Sequence, residues 1–382
     1  MSLKRYCRHT PELLIAFFGL ILLAVISGSV RGEAGSFLST ALDVAPFVIL
    51  AMLVSLARDR HPAFRWVAGV WLLVLVGGIA AATAGFGVIS ILPVEVLEAV
   101  EIAPEAIDLA LAVEVALLLL GILGAALASL VGLSRRFRVW LARYLPFDPN
   151  SLLHSTALVV VLALILIPPV PLLATGVPPY LSPQFIELLT ESGDLLVDTV
   201  TLNAYTLFWT IVGSFFIAGA CVRRTPREAL ERLGLVRPAG REVAFAVIAA
   251  FALVVAFHFI DPALAALVGF LGLPVTDTGA VNLLFAGTLT IPGIVMASIA
   301  AGFGEEVGIR GLLQPRFGIF LPALLFASLH AFQYSWDGLV SVFLAGVAFA
   351  YIRRYSNTTT SAITHTVYDL VLFAMLMAGI SF

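Results

Sequence analysis

The chain has 382 residues, of which 61% are hydrophobic and 12% are charged, and its formal net charge is −3. A soluble globular domain is nearer half apolar and a quarter charged, so this composition excludes a chain that surrounds itself with a water-facing surface. Two cysteines, Cys7 and Cys221, exclude a disulfide framework and do not form a zinc-binding motif.

Apolar runs long enough to cross a bilayer recur along the whole chain. A transmembrane helix needs about 20 mostly apolar residues, and backbone groups cannot be left unpaired in lipid. The candidate spans, about eleven in all, are residues 13–30, 38–57, 66–89, 108–133, 152–172, 199–221, 242–260, 281–303, 318–335, 338–352 and 360–381. Pro168, Pro169 and Pro171 are expected to end or kink the fifth span. The predicted fold class is an all-α, polytopic transmembrane helical bundle.

The basic residues predict how this bundle is oriented. If the N-terminus lies in the cytoplasm, every lysine and arginine except Arg31 falls on the cytoplasmic side of the predicted spans. Cytoplasmic loops of membrane proteins carry such an excess of positive charge. The pattern predicts an odd number of spans, with the N-terminus inside and the C-terminus outside. A cleavable signal peptide is an open alternative for the first span, since Lys4, Arg5 and Arg8 precede a short apolar run.

The most highly charged break between spans, residues 222–241, predicts a boundary in the chain. Thr225 can cap a short helix there, with Pro226 at its first position and Glu228 three residues after the cap. This helix is expected on the cytoplasmic surface, with its arginines near anionic headgroups. We therefore predict an N-terminal membrane region of about six spans and unknown role, 1–222, and a C-terminal region of about five spans, 223–382.

Three polar motifs stand out in the C-terminal region. They are Glu305-Glu306-Val-Gly-Ile-Arg310, Phe326-Ala-Ser-Leu-His330 and His365-Thr-Val-Tyr-Asp369, each on a different predicted span. Residues four apart share a helix face, so Glu306 can pair with Arg310, and His365 can converge with Asp369. Glu305 is rotated about a quarter turn or more from its neighbour. One carboxylate can thus pair with the arginine while the other faces a different cavity.

This set of side chains suits the hydrolysis of an amide bond without a covalent intermediate. A carboxylate can take a proton from water, a histidine can share that task, and further donors can stabilise an oxyanion. A zinc version is an open alternative, with Glu305, His330 and His365 as ligands, although the chain has no H-E-x-x-H motif. A buried polar network that only fixes helix register is another alternative.

The three motifs, in their order and placement, resemble the CPBP family of CAAX prenyl protease 2-like and bacteriocin-processing intramembrane proteases. The resemblance covers residues 281–375 best. It implies that Glu305 activates a water molecule as general base and that His330 is its partner on that water. It also implies that Glu306 and Arg310 orient the site, and that His365 and Asp369 stabilise the oxyanion. The family admits Asn or Asp at the last position, but a carboxylate donates a hydrogen bond only when protonated.

The resemblance further implies an intramembrane endopeptidase that cuts a peptide bond near the cytoplasmic face of the membrane, without a metal cofactor. Its expected partners are the lipid bilayer and a peptide or lipidated-protein substrate, and no nucleic acid. We expect a multi-pass protein of a prokaryotic plasma membrane. The main alternative is a non-catalytic bacteriocin-immunity or scaffolding protein. A transporter is a third hypothesis, but the sequence lacks the paired broken helices typical of one. The physiological substrate and the oligomeric state are not predicted.

Overall fold

The computed structural model describes residues 9–98, 109–191 and 199–380. Within these ranges the chain is helical and has no β-strand, so the all-α prediction is confirmed. An isolated backbone bridge joins Ala220 and Arg224. The predictions made for Lys4, Arg5, Cys7 and Arg8 lie outside the described residues.

The helices of the predicted N-terminal region are numbered here in chain order. They are α1 (Thr10–Ile26), α2 (Gly32–Ser39), α3 (Ala45–Asp59), α4 (Phe64–Ile89), α5 (Val94–Glu98), α6 (Leu109–Ser129), α7 (Arg135–Leu141), α8 (Leu152–Leu166), α9 (Val170–Thr175), α10 (Pro183–Glu191) and α11 (Thr199–Ile217). Short 3-10 helices cover Thr40–Asp43, Leu130–Leu133 and Pro179–Leu181. As predicted, the proline-rich segment ends α8 at Leu166, and α9 restarts at Val170.

The predicted C-terminal region continues the all-helical pattern. Its helices are α12 (Pro226–Leu233), α13 (Gly240–Phe270), α14 (Thr278–Leu284), α15 (Ile291–Glu305), a π-helix (Glu306–Gly311), α16 (Gln314–Phe317), α17 (Phe320–Leu329), α18 (Trp336–Tyr355) and α19 (Thr358–Met377), with a 3-10 helix at Ala286–Thr288. The capping box predicted for α12 is present: Thr225 Oγ1 accepts from Glu228 N at 3.2 Å, and Glu228 Oε2 accepts from Thr225 N at 2.7 Å.

Seven helices in the described part of the chain are long and apolar enough to cross a membrane, or eight if a bent pair counts as one span. The bent pair is Gly32–Asp43 with Ala45–Asp59, which meet at 53°. Three of the predicted spans form shorter helices: α1 has 17 residues, α15 has 15 before the π-helix, and α17 has 10. The chain is therefore a multi-span membrane protein, while the count of about eleven and the orientation stay predictions.

A close crossing of α15 and α19 brings the first and third motifs together. A Cβ atom on Gly302 would lie 2.6 Å from the backbone nitrogen of Thr366 and 2.9 Å from the carbonyl oxygen of Ala362. Only glycine fits so close an approach between two helix backbones. The crossing sets α19 beside the end of α15, where the Glu305-Glu306 pair lies.

The two predicted regions share a hydrophobic core. Buried side chains of α8, such as Leu158 and Ile165, pack in one cluster with Ile309 and Phe326 from the motif-bearing segments. Ser328 Oγ donates to the carbonyl oxygen of Ile165 at 3.0 Å. The α8 helix therefore helps to hold the second motif in place.

Candidate active site

The first motif lies where α15 changes into a π-helix. The π-helix covers Glu306–Gly311, and its wider turn is closed by Leu312 N donating to Val307 O at 3.2 Å, an i to i+5 hydrogen bond. Such single turns are rare and occur frequently at functional sites. The π-helix begins between the two glutamates, since Glu305 is the last residue of α15. It follows that the two carboxylates leave the helix in different local geometries.

Glu306 is fully buried and is held by three side chains. Its Oε1 atom lies 3.1 Å from Nη1 of Arg310 and 3.2 Å from Nδ1 of His365, and its Oε2 atom accepts from Ser361 Oγ at 2.7 Å. Both Glu306 and Arg310 have 0% exposed side chains. A buried ion pair keeps its charges only when further hydrogen bonds support it. Glu306 thus acts as a fixed structural anion between the π-helix and α19.

The guanidinium of Arg310 lies between aromatic rings and a backbone carbonyl. Its Cζ atom is 4.2 Å from the ring centre of Phe326 and 5.8 Å from that of Phe349. Its Nη2 atom donates to Gly346 O at 3.3 Å. An arginine held by stacking and by a carboxylate is rigid. It connects the first motif to Phe326 of the second motif and to α18.

His365 is the junction of the site. Its Nδ1 atom faces Glu306, while its Nε2 atom lies 3.4 Å from Asp369 Oδ2 and 3.9 Å from Glu305 Oε2. The ring stacks on Phe349, with centroids 4.3 Å apart and planes at 19°. With a carboxylate at each nitrogen, both nitrogens can donate only if the ring is an imidazolium. The five predicted residues other than His330 therefore form one connected cluster.

Glu305 differs from Glu306 in its surroundings. Its side chain is 33% exposed, and its Oε2 atom lies 3.9 Å from Nε2 of His365. No arginine forms an ion pair with it among the described residues. Of the two adjacent carboxylates, this one is open to a water molecule or a substrate.

His330 follows the last residue of α17 and lies beside the cluster through aromatic contacts. Its ring is 4.8 Å from that of Phe326 and stacks at 19° on Tyr334. Its Nδ1 atom lies 2.8 Å from the carbonyl oxygen of Phe326. A carbonyl can only accept, so Nδ1 carries the proton and the neutral ring keeps Nε2 as an acceptor. The histidine is therefore arranged to accept a proton at Nε2.

Sequence reasoning missed several residues that build this cluster. Ser361 lies one turn before His365 on α19 and anchors Glu306, while Phe349 supplies the stacking surface for the imidazole. Gly346 supplies the carbonyl for Arg310. The spacing of Ser361 and His365, four residues apart on one helix face, was a usable signal. No sequence signal indicated the roles of Phe349 and Gly346, because these roles depend on how α18 packs against its neighbours.

The zinc alternative stays a prediction. Among residues 9–98, 109–191 and 199–380, no group of three or more His, Cys, Asp or Glu side chains is arranged to hold a metal ion. Glu305 and His365, two of the three proposed ligands, lie 3.9 Å apart, and the ring of His330 contacts those of Phe326 and Tyr334.

A bundle of apolar helices that buries a Glu-Arg-His cluster defines this chain as an integral membrane protein with a buried polar site. Residues 287–371, which contain all three motifs, match the family model described as Rce1-like, type II CAAX prenyl endopeptidase Rce1-like. The resemblance predicted from the motifs is thereby confirmed, and this segment is similar to that of CAAX-protease-like membrane endopeptidases.

A curated relative matches in a segment of similar length. The uncharacterized protein YpbD of Bacillus subtilis (strain 168) is 27% identical over 95 residues, which are 25% of this chain and 50% of that protein. The chain thus spans about half the length of this relative. No solved structure matches the chain.

Proposed function

We propose that the chain is an intramembrane endopeptidase that hydrolyses a peptide bond with water activated by Glu305 and His330, near the cytoplasmic face of the membrane. The observation that carries this proposal is the difference in burial and partners between the two adjacent glutamates. Glu306 is fully buried and bound on both oxygens, whereas Glu305 is partly exposed and free of arginine. A site that only fixed helix register would have no need of the exposed carboxylate.

In this mechanism a water molecule lies between Glu305 and His330. Glu305 takes its proton, and the Nε2 lone pair of His330, left available by the Nδ1 contact with Phe326 O, holds or shares that proton. The resulting hydroxide adds to the scissile carbonyl. The tetrahedral oxyanion then collapses and the C–N bond breaks, while the proton passes from Glu305 to the leaving amine, so that a carboxylic acid and an amine are released. No metal takes part in the proposed steps.

The oxyanion is stabilised at His365 and Asp369. The imidazole has its Nε2 atom toward Asp369 and Glu305, and its Nδ1 atom is fixed by Glu306. A donor that is held before the reaction begins stabilises developing charge most effectively. Glu306, Arg310 and Ser361 therefore act as positioning residues, because they hold His365 rather than touch the substrate.

The substrate class is proposed as a peptide or lipidated-protein tail at the membrane surface. The first experiment follows cleavage of a quenched-fluorescence farnesylated CAAX peptide by the purified protein, with and without a chelator. Glu305→Gln should lower the rate about 100- to 10,000-fold, as loss of a general base does. Glu231→Gln is the control, since that carboxylate lies on the surface and pairs with Arg227.

A second experiment removes the dependence on one chosen substrate. Newly formed protein termini are mapped in membranes of cells that make either the wild type or the Glu305→Gln variant. Termini that require Glu305 identify the substrate and support the protease. If neither the peptide nor any cellular terminus depends on Glu305, the endopeptidase proposal fails and the non-catalytic binding alternative takes its place.

A further inference from the structure

Arg232 lies beside the end of the π-helix, on the side that the charge pattern predicts to be cytoplasmic, and three further arginines are near enough to act on it electrostatically. This arginine cluster consists of Arg224, Arg232, Arg316 and Arg353. Three of its members come from different helices, namely α12, α16 and α18, and Arg224 precedes α12. The cluster was not singled out by sequence, because its members are far apart along the chain.

Hydrogen bonds hold two members of the cluster, Arg232 and Arg353, against the same part of the fold. Arg232 Nη1 donates to Gly311 O at 2.9 Å and Arg232 Nη2 donates to Leu312 O at 3.2 Å. The next residue, Leu233, offers its carbonyl to Thr358 Oγ1 at 2.6 Å. Arg353 Nε reaches the same hydroxyl at 3.5 Å. One continuous set of contacts thus joins α12, the π-helix, α18 and α19.

Arg316 completes the cluster from α16, which follows the π-helix after two residues. Its side chain is exposed and forms no ion pair with any described residue. Arg316 thus lies a few residues after Gly311 and Leu312, whose carbonyl oxygens accept from Arg232.

No carboxylate in the described part of the chain forms an ion pair with a member of the cluster. Among the described residues, none of the four arginines has an ion pair, whereas Arg223 pairs with Asp59 at 3.9 Å and Arg227 with Glu231 at 3.1 Å. Burial, together with the positive charges of Arg316, Arg224 and Arg353, lowers the pKa of Arg232 to about 10. The carboxylate of Glu306 attracts Arg353 electrostatically, but it is already paired with Arg310.

Like charges at close range are unfavourable unless an anion lies among them. A guanidinium has five N–H donors in a rigid fork, and the two carbonyl contacts leave donors of Arg232 available. That fork matches phosphate oxygens, which accept two parallel hydrogen bonds. A phosphate group therefore fits the cluster better than a single carboxylate, since it meets several arginines at once.

We propose that the arginine cluster is a binding site for a phosphate group, supplied by the headgroup of an anionic phospholipid. An anionic headgroup lies at the depth where helix ends and surface helices such as α12 meet the membrane. The bound phosphate bridges α16 to α12 and so supports the carbonyl contacts at Gly311 and Leu312. This site is separate from the hydrolytic cluster and does not depend on the proposed reaction.

Thermal unfolding of the full chain in detergent tests the site without any assay of hydrolysis. The probes are phosphatidylglycerol, phosphatidylcholine and inorganic phosphate. We expect phosphatidylglycerol to raise the unfolding midpoint of the wild type by at least about 2 °C, because a ligand that binds only the folded state stabilises it. Phosphatidylcholine, which has no net charge, should not do so. Native mass spectrometry then counts the phosphatidylglycerol molecules retained by each variant.

The variants are Arg316→Gln, Arg353→Gln and the double variant, and the control is Arg227→Gln. The control removes the same charge from the same surface, but its arginine is paired with Glu231. Loss of the stabilisation and of the retained lipid in the double variant, with both kept in the control, supports the proposal. The same pattern with inorganic phosphate assigns the site to a free phosphate. An equal response in every variant, or no response to either ligand, overturns it.

Discussion

The Nδ1 atom of His365 lies 3.2 Å from Oε1 of Glu306, and this contact joins α19 to the π-helix. The same carboxylate oxygen is 3.1 Å from Arg310. One oxygen atom thereby connects the first motif to the third. The two adjacent glutamates therefore have different surroundings: Glu306 is buried in this contact, whereas Glu305 is partly exposed.

Replacing each glutamate by glutamine should lower stability to very different extents. Glu306→Gln leaves the guanidinium of Arg310 buried without a counter-charge, and we expect a loss of about 3–5 kcal/mol in the free energy of unfolding. Glu305→Gln should cost less than about 1 kcal/mol, because that side chain is partly exposed and lacks an arginine partner. Denaturant unfolding of the purified variants measures both values. Equal losses would show that the two carboxylates share one structural role.

Lysine should not replace Arg310. It keeps the charge, but it cannot stack its head on Phe326 while also reaching Glu306 and the carbonyl of Gly346. We expect Arg310→Lys to destabilise the fold by about 1–3 kcal/mol and to lower hydrolysis at least about tenfold. The matched control is Arg227→Lys, since that arginine is exposed on α12. A fully active Arg310→Lys variant would mean that only the charge matters.

Ser361→Ala should weaken the site by releasing one oxygen of Glu306. Its hydroxyl donates to Glu306 Oε2 at 2.7 Å, and loss of a buried partner costs about 1–3 kcal/mol. Ser129→Ala is a matched control, because Ser129 is also buried, donates to the backbone carbonyl of Ala126 at 2.6 Å and lies on α6, which carries none of the motifs. We expect similar losses of stability but a fall in kcat only for Ser361→Ala. A parallel fall in kcat for both variants would contradict a positioning role.

The crossing of α15 and α19 predicts that two glycines two residues apart respond differently to alanine. A Cβ atom on Gly302 would meet the backbone of Thr366 at 2.6 Å, whereas a Cβ atom on Gly304 would meet nothing closer than 3.9 Å. Gly302→Ala should therefore destabilise the protein by at least about 1–3 kcal/mol, and Gly304→Ala should be tolerated. Thermal unfolding of the two variants checks this. Similar midpoints would place the tight crossing elsewhere.

Asp369→Asn tests the proposed oxyanion role. Asparagine keeps an oxygen for the contact with His365 Nε2 and adds an N–H donor, so we expect kcat/KM to stay within about tenfold of the wild type. Asp369→Leu removes both groups and should lower kcat/KM about 100- to 1,000-fold. If asparagine is as harmful as leucine, the negative charge itself is required. In that case Asp369 acts on His365 rather than on the oxyanion.

Much of this arrangement could be predicted from the sequence, because the signals are local. Apolar runs predict helices in lipid, and the spacing of four residues predicts the pairs Glu306 with Arg310 and His365 with Asp369. The capping box of α12 is likewise a local pattern. These predictions need no knowledge of which helices are neighbours, and the structure has each of these features.

Other features could not be predicted, because they depend on helix neighbours and on backbone geometry. The contact of Glu306 with Ser361, the stacking of His365 on Phe349 and the change to a π-helix all arise where three helices meet. The short length of α17 was also missed, since residues 318–335 are apolar throughout most of their length although the helix ends at Leu329. Hydropathy measures composition and does not show where a helix ends.

The shared contacts across the predicted boundary at residues 222 and 223 bear on how the protein can be divided. Phe332 O, just beyond His330, accepts from Tyr180 N at 2.9 Å, and Ser328 relies on Ile165 O. A fragment of residues 223–382 would lose both partners next to the second motif, and in lipid a backbone carbonyl has no water to replace them. The motif-bearing segment is therefore not a transplantable module: grafting, truncation or coexpression designs must keep residues 152–182 with it.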